Sequence, residues 1–210
     1  SHRNSIGIEL TDRFYNVAVE AIEEETASQQ LSLFSHENEL GNYKLFKGDC
    51  SEVLKEISDN NIQLTVTSPP YADLIHKVVE DRTLRHKNSA FVSDNNATTN
   101  LYSDDERDLG NMPMDVYIKK VEFIMRELYR VTKPGGYNVW VVKDFRDTKN
   151  KIPYVDLHSK IVDAGQKAGF KYHDLIIWDQ NQHRKLVLLG YPSVFYVNQN
   201  HSFIVVLRKI

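Results

Sequence analysis

The chain has 210 residues, of which 41% are hydrophobic and 26% are charged, and its formal net charge is −3. This composition is typical of a folded globular protein and excludes a largely disordered chain. No apolar run reaches the roughly 20 residues of a membrane helix, and the N-terminus lacks a signal-peptide core. The single cysteine, Cys50, excludes an intramolecular disulfide and a cysteine zinc cluster, so we expect a cytoplasmic protein.

The first predicted elements are short strands that alternate with helices. Ser5–Glu9 has the pattern of a strand, and apolar residues at helical spacing follow Thr11. Tyr43–Lys47 is a second predicted strand, which leads into Gly48-Asp49-Cys50 and a short helix. Ile62–Thr67 is a third, rich in residues that favour strands.

After the third strand, residues 72–112 lack a sustained period and are predicted to form a long loop. The elements predicted beyond it are a helix at Met114–Val131, a strand at Tyr137–Val142, a helix at Leu157–Ala168, and strands at Tyr172–Trp178 and Phe203–Leu207. Strands that alternate with helices predict an α/β fold with a largely parallel sheet, and the last two strands suggest an antiparallel pair.

The segment Thr67–Tyr71 (TSPPY) is the strongest chemical signal, because it lies at the carboxyl end of a predicted strand. Ligand sites of open α/β sheets lie at that edge. The two prolines have no N–H, so the Ser68 and Pro69 carbonyls can act as acceptors for the two hydrogens of a substrate NH₂ group. Tyr71 supplies a ring for stacking on a planar base. The alternative is a proline turn that only closes a strand.

The segment Phe46–Tyr71 (FKGDCSEVLKEISDNNIQLTVTSPPY) resembles the S-adenosylmethionine-dependent DNA amino-methyltransferases, which methylate cytosine N4 or adenine N6. Arg130–Asp144, Gly169–Trp178 and His201–Lys209 extend the resemblance. It implies a Rossmann-like methyltransferase fold, a three-layer sandwich with a mostly parallel sheet and an antiparallel closing strand pair.

The same resemblance assigns roles to the catalytic motif. Ser68 and Pro69 would hold the target amine, Pro70 would shape the turn, and Tyr71 would stack on a base flipped out of the duplex. Serine at the first position of the motif favours cytosine N4 over adenine N6.

The resemblance also identifies candidate cofactor residues in IGIEL and GDC. Glu9 would bind the ribose hydroxyls of S-adenosylmethionine, and Asp49, with Cys50 beside it, would lie near the adenine ring. Both acids follow predicted strands and should therefore lie at the same sheet edge as Ser68. The alternatives are that Glu9 caps the helix at Thr11 and that Asp49 caps the next helix.

The family's Gly-rich cofactor loop should precede IGIEL, yet none of the nine glycines forms a GxG after a strand. We expect that loop to belong to an upstream part of a longer protein, or the chain to be a fragment. Residues 1–42 are then the tail of a cofactor-binding half, and residues 43–210 are the catalytic half of a single methyltransferase domain.

These observations predict a prokaryotic, site-specific DNA methyltransferase of a restriction–modification system. Its predicted partners are double-stranded DNA and a cognate restriction endonuclease. Methylation of RNA or of a protein amide and a non-catalytic DNA-binding fragment are the alternatives. The eight histidines form no HxxxH or HxH pair, so no metal site is predicted.

Two basic groups are candidates for DNA contacts. Arg82, Arg85 and Lys87 lie in the predicted long loop, where they would bind phosphates or belong to a solvated loop. Asp144 and Arg146 follow a predicted strand, and they would contact the target base or DNA, or form a surface ion pair, which is the favoured interpretation.

Overall fold

The computed structural model describes residues 3–31, 42–74, 76, 102–147, 150–183 and 199–210. Its elements in chain order are β1 (Ser5–Glu9), α1 (Asp12–Leu31), β2 (Tyr43–Lys47), α2 (Cys50–Glu56), β3 (Ile62–Thr67), α3 (Met114–Val131), β4 (Thr132–Val142), β5 (Phe145–Asp147), β6 (Ile152–Val155), α4 (Leu157–Ala168), β7 (Lys171–Asp179) and β8 (His201–Arg208), with short 3₁₀ turns at Leu109–Asn111 and Asn181–His183. The chain divides into two compact units, Ser1–Ile57 and Ser58–Ile210.

The first unit contains a parallel pair of strands. β1 runs beside β2 in the register Ser5↔Tyr43 to Glu9↔Lys47. Helix α1 begins where the Thr11 hydroxyl accepts a hydrogen bond from the Phe14 N–H at 3.4 Å, as a helix-capping residue does. The carboxyl ends of both strands therefore lie at one edge of this small sheet.

The second unit contains a four-stranded sheet of order β3-β4-β8-β7. β3 and β4 are parallel, whereas β8 is antiparallel to both β4 and β7. The predicted α/β class and the antiparallel closing pair are confirmed. Since β7 is parallel to β4, the carboxyl ends of β3, β4 and β7 share an edge with the start of β8.

Helices α3 and α4 pack on one face of this sheet and form the core with it. Trp140 is only 2% exposed, and Val205 and Leu207 of β8 are fully buried. The fit of α4 is close, because a Cβ built on Gly165 would lie 2.3 Å from Cδ1 of Leu207. Glycine at this position therefore allows α4 to approach β8.

The opposite face of the same sheet is largely apolar and exposed. Val66 of β3 is 63% exposed and Trp178 of β7 is 50% exposed. Between these strands the register aligns Val139 with Val206, which are half-buried. The described helices of this unit thus cover one face of the sheet.

Two local features differ from the sequence-based prediction. β4 begins at Thr132 rather than Tyr137, with a register shift in its pairing with β3 between Ile62 and Leu64. The antiparallel hairpin of β5 and β6 was not predicted, because strands of three and four residues are too short to show a clear apolar alternation. Among the described helices, none has the length and apolarity that a membrane span requires.

Candidate active site

The TSPPY motif forms the turn that follows β3 directly. Thr67 is the last residue of β3 and pairs with Trp140 of β4. Ser68 is exposed, Pro69 is buried, and Tyr71 is half-buried. The motif therefore presents its serine to solvent at the edge where β3 and β4 end.

The residue after the motif has an unusual backbone conformation. Ala72 has a φ of 50° in the left-handed region and is only 1% exposed. A side chain in this region costs free energy, and such strain concentrates at functional sites. The Asp73 N–H, one residue on, donates to the Met112 carbonyl at 3.0 Å. This long-range bond helps to hold the strained turn.

The segment before α3 packs against the same turn. A Cβ built on Gly110 would lie 3.3 Å from Cβ of Pro70, so glycine provides the space for this approach. Asp108 is buried and its Oδ1 accepts from the Gly110 N–H at 2.8 Å. Nε2 of His76 lies 2.7 Å from Oδ1 of Asn111. Both described ends of the predicted long loop are therefore joined to each other.

Two aromatic side chains lie around Tyr71. The rings of Tyr71 and Phe145 are stacked, with centroids 6.5 Å apart and planes at 19°. Tyr117 of α3 is 0% exposed. Burial, and to a lesser extent the charge on Tyr71, raise the pKa of the Tyr117 phenol above its usual range. The sequence pattern identified Tyr117 only as part of an apolar helical stripe, which gives no signal for an electrostatic influence of the motif on it.

Asp144, at the carboxyl end of β4, is 2% exposed and belongs to a hydrogen-bond network. It accepts from the Tyr154 hydroxyl at 2.9 Å and from the His158 N–H at 3.0 Å, and Nδ1 of His158 lies 2.9 Å away. Burial, followed by the hydrogen bond to Asp144, raises the pKa of Tyr154 to about 12. Arg146 donates to Oε1 of Gln199 at 3.1 Å. Asp144 is therefore a buried acceptor that holds β4, β6 and α4 together.

In the first unit, Glu9 and Asp49 lie at the carboxyl end of the β1–β2 pair. The Glu9 carbonyl accepts from the Gly48 N–H at 2.8 Å, which brings the two turns together. Burial raises the pKa of the Glu9 carboxyl above its usual value. The α1 cap is supplied by Thr11, so the Glu9 side chain is not needed for that purpose.

Asp49 has a structural role in the same unit. It is 9% exposed, and its Oδ1 accepts from the Ser51 N–H at 2.8 Å as the N-cap of α2. Cys50 is the first residue of α2 and its thiol is half-buried. The interpretation of Asp49 as a helix cap is thus confirmed. A carboxylate has two oxygens, so it can also accept a hydrogen bond from a ligand.

A cavity of about 720 Å³ in the second unit is lined in part by Asp73, which lies two residues after TSPPY. The residues that line it include four acidic and two basic ones, namely Asp73, Asp115, Glu122, Asp147, Lys119 and Lys160. A carboxylate-rich wall disfavours a phosphate, and the residues of TSPPY do not line this space. Arg82, Arg85 and Lys87 lie outside the described residues.

Comparison with known families gives a match over most of the second unit. The family model described as DNA methylase, which covers N6 and N4 methyltransferases, matches residues 62–210. The Type II beta methyltransferase M.BslI of Bacillus sp. (strain NEB-606) is 29% identical over 152 residues, or 69% of this chain and 13% of its own length. The Type II methyltransferase M.MjaI of Methanocaldococcus jannaschii is 26% identical over 184 residues, or 80% of this chain and 56% of its own length. The matched part of the chain thus covers between about an eighth and a little more than half of the length of these relatives.

Solved structures support the same fold. The PvuII DNA methyltransferase, which is cytosine-N4-specific, has a TM-score of 0.51 at 16% identity, covering 79% of this chain and 48% of its own. A DNA modification methylase of Thermus thermophilus, TTHA0409, solved with S-adenosyl-L-methionine, has a TM-score of 0.50 at 24% identity. That match covers 77% of this chain and 53% of the other. Both likenesses indicate the methyltransferase fold.

Proposed function

Because this chain belongs to the DNA methylase family of N6 and N4 methyltransferases, we propose that it transfers a methyl group to an exocyclic amine of a DNA base. Cytosine N4 is the proposed target, since serine leads the TSPPY motif, and adenine N6 is the alternative. Type II restriction–modification is the proposed setting, because its curated relatives are named as type II methyltransferases.

The observation that best supports this proposal is the position of TSPPY at the carboxyl end of β3, inside the matched residues. The exposed Ser68 and the carbonyls of Ser68 and Pro69 are hydrogen-bond acceptors without competing proline N–H groups. An NH₂ group that donates both hydrogens to them directs its nitrogen lone pair away from them. Such alignment of the attacking atom supplies most of the acceleration in a displacement of this type.

A planar base needs an aromatic surface beside this amine site. Tyr71 provides one, and its ring lies nearly parallel to that of Phe145, with the two planes at 19°. A base inside a duplex cannot reach the turn, so the reaction requires flipping, which costs a few kcal/mol of lost pairing and stacking. We assign Arg82, Arg85 and Lys87 to contacts with the flanking phosphates.

The cofactor proposed for this reaction is S-adenosylmethionine, whose sulfonium supplies the methyl group when bound. Glu9 and Asp49 fit the polar part of such a molecule, because carboxylates accept hydrogen bonds from ribose hydroxyls and from an adenine amine. The two acids follow strands that end at one edge, and the Gly48–Glu9 hydrogen bond joins their turns. Cys50 is the proposed neighbour of the adenine ring.

The identity of the methylated nucleoside tests this proposal. The chain is incubated with labelled S-adenosylmethionine and unmethylated genomic DNA, and the digested DNA is analysed by mass spectrometry. We expect N4-methyldeoxycytidine. N6-methyldeoxyadenosine would move the target to adenine, whereas labelled RNA in a parallel reaction, or no labelled nucleoside at all, would contradict DNA amine methylation.

A further inference from the structure

Tyr117 has a buried hydroxyl that the fold of the second unit does not use. Its side chain is 0% exposed, and among the described residues its Oη has no hydrogen-bond partner. Buried hydroxyl groups in native proteins are nearly always paired, because an unpaired one keeps its full desolvation penalty. The unpaired hydroxyl is therefore a cost that the free protein carries.

Tyr117, which has this unpaired hydroxyl, lies near the start of α3, and that part of the chain is hydrogen-bonded to the segment after TSPPY. Its N–H donates to the Pro113 carbonyl at 2.8 Å, which places it one turn into α3. Met112, next to Pro113, accepts from the Asp73 N–H at 3.0 Å, and Asp73 is two residues after Tyr71. The start of α3 is thereby tied to the TSPPY turn. The charge on Tyr71 also raises the pKa of Tyr117, as expected for neighbouring phenols.

The contact between the rings of Tyr71 and Phe145 is a loose one. The ring of Tyr71 lies 6.5 Å from that of Phe145, at the wide end of the range for stacked aromatic pairs. A flipped base that lies flat on Tyr71 presses this ring toward its neighbours. A hydroxyl beside the new position then gains an acceptor or donor that it lacks in the free protein.

We propose that Tyr117 is a positioning residue for Tyr71. Its buried hydroxyl forms a hydrogen bond with the Tyr71 hydroxyl when the target base occupies the site, and this bond holds the stacking ring against the base. The inference rests on the proposed function, since it requires a base bound at TSPPY. With this inference, Tyr117 of α3 joins the TSPPY residues in the proposed binding site for the target base.

The first test is Tyr117→Phe, which removes only the hydroxyl. Because that group is unpaired in the free protein, the melting temperature should be unchanged or higher. Methyl transfer to unmethylated genomic DNA should fall by about threefold to tenfold, the value of one hydrogen bond. The loss should appear in the step that uses DNA, and the KM for S-adenosylmethionine should not change.

A double-mutant cycle with Tyr71→Phe tests the partner. If the two hydroxyls bond to each other, the double variant should be no slower than the slower single variant. Tyr129→Phe is the matched control, because Tyr129 lies on the same helix but packs its ring on Phe170 at 5.1 Å. Its rate of methyl transfer should equal that of the wild type.

Any of the following three results would overturn the inference. A lower melting temperature for Tyr117→Phe would mean that the hydroxyl is already paired in the free protein. Equal rates for Tyr117→Phe and an active wild type would mean that the hydroxyl has no role, and additive losses in the cycle would mean that it acts apart from Tyr71. A wild type that methylates no DNA would instead overturn the proposed function, and this inference with it.

Discussion

The turn after β3 and the turn after β2 both carry proposed site residues, but different kinds of contact hold them. After β3, Asp73 bonds to Met112 and Pro70 packs on Gly110, residues about 40 positions further along the chain. After β2, Asp49 bonds to Ser51, two residues away in its own helix. The Pro70 side chain of the first turn packs on a distant residue, whereas the Asp49 side chain of the second turn caps its own helix, although the Gly48 backbone bond to Glu9 also reaches a distant residue there.

This difference predicts how each site responds to substitution. A side chain exposed on a turn with tertiary support can be removed with little effect on stability. Its loss should therefore lower the rate of methyl transfer without unfolding the protein. A carboxylate that caps its own helix contributes to folding as well, so its removal has two effects. The variants below separate these effects.

Apart from the Ser68→Ala variant that tests the central claim, the largest effect is expected for Tyr71→Ala. Stacking of a base on an aromatic ring contributes about 1–3 kcal/mol, so methyl transfer should fall by roughly fivefold to more than a hundredfold. Tyr172→Ala is the control, because Tyr172 is an exposed tyrosine of β7 in the same unit. Rates measured with labelled cofactor would contradict the assignment if both variants matched the wild type.

Asp49→Ala should weaken binding of S-adenosylmethionine by about tenfold to a hundredfold, since it removes a charge-assisted acceptor. It should also lower the free energy of unfolding by about 1 kcal/mol through the lost helix cap. Asp156→Ala removes a similar cap, because Asp156 accepts from the Ser159 N–H at 3.2 Å, and it should leave cofactor affinity intact. Calorimetry that gives equal dissociation constants for both variants would leave Asp49 with its capping role alone.

Ala72→Gly tests the strain in the turn after β3. Glycine adopts the left-handed conformation without the Cβ penalty, so the variant should gain about 1 kcal/mol of unfolding free energy. The same substitution at Ala18, inside α1, should instead cost about 1 kcal/mol. Chemical denaturation measures both, and a loss at position 72 would show that the turn is not strained.

The smallest effect is expected for Glu9→Gln. Burial raises the pKa of Glu9 above its ordinary 4.5, so the folded chain keeps this proton to a higher pH than the unfolded chain. The contribution of Glu9 to the free energy of unfolding is complete at pH values below its pKa in the unfolded chain. It is lost as the pH rises through its higher pKa in the folded chain. Glutamine cannot ionise, so the variant should gain stability relative to the wild type as pH rises from about 4.5. Urea midpoints with parallel pH dependence in both proteins would contradict this.

The fold was predictable where its signals are local. The helix at Met114–Val131 follows from apolar residues at helical spacing. Its end follows from the proline and glycines of the segment Lys133–Gly136 (KPGG), which comes soon after it. The cap at Asp49 and the left-handed Gly169 after α4 are likewise short-range features. The hairpin of β5 and β6 was missed because its strands are too short to show a pattern.

Of the candidate site, the sequence identified the residues whose chemistry the motif displays. It gave no indication of the positive φ of Ala72, because alanine carries no local signal for this conformation and the neighbouring Asp73 bonds to the distant Met112. It did not distinguish Tyr117 from the other apolar positions of α3, since only the folded unit leaves its hydroxyl unpaired. Asp144 was expected at the surface, but its three hydrogen-bond contacts come from β6 and α4, which the local sequence around it does not contain.

Methyl transfer by Ser68→Ala tests the central claim most directly. Ser68 is exposed, so the variant should keep the melting temperature of the wild type. Removing one preorganised hydrogen-bonding group from an active site costs roughly a hundredfold to a thousandfold in rate, and we predict a loss of this size with unmethylated genomic DNA. Ser58→Ala, at an exposed serine before β3, should transfer methyl groups at the wild-type rate. A Ser68→Ala protein as active as Ser58→Ala would contradict the assignment of TSPPY as the site of methyl transfer.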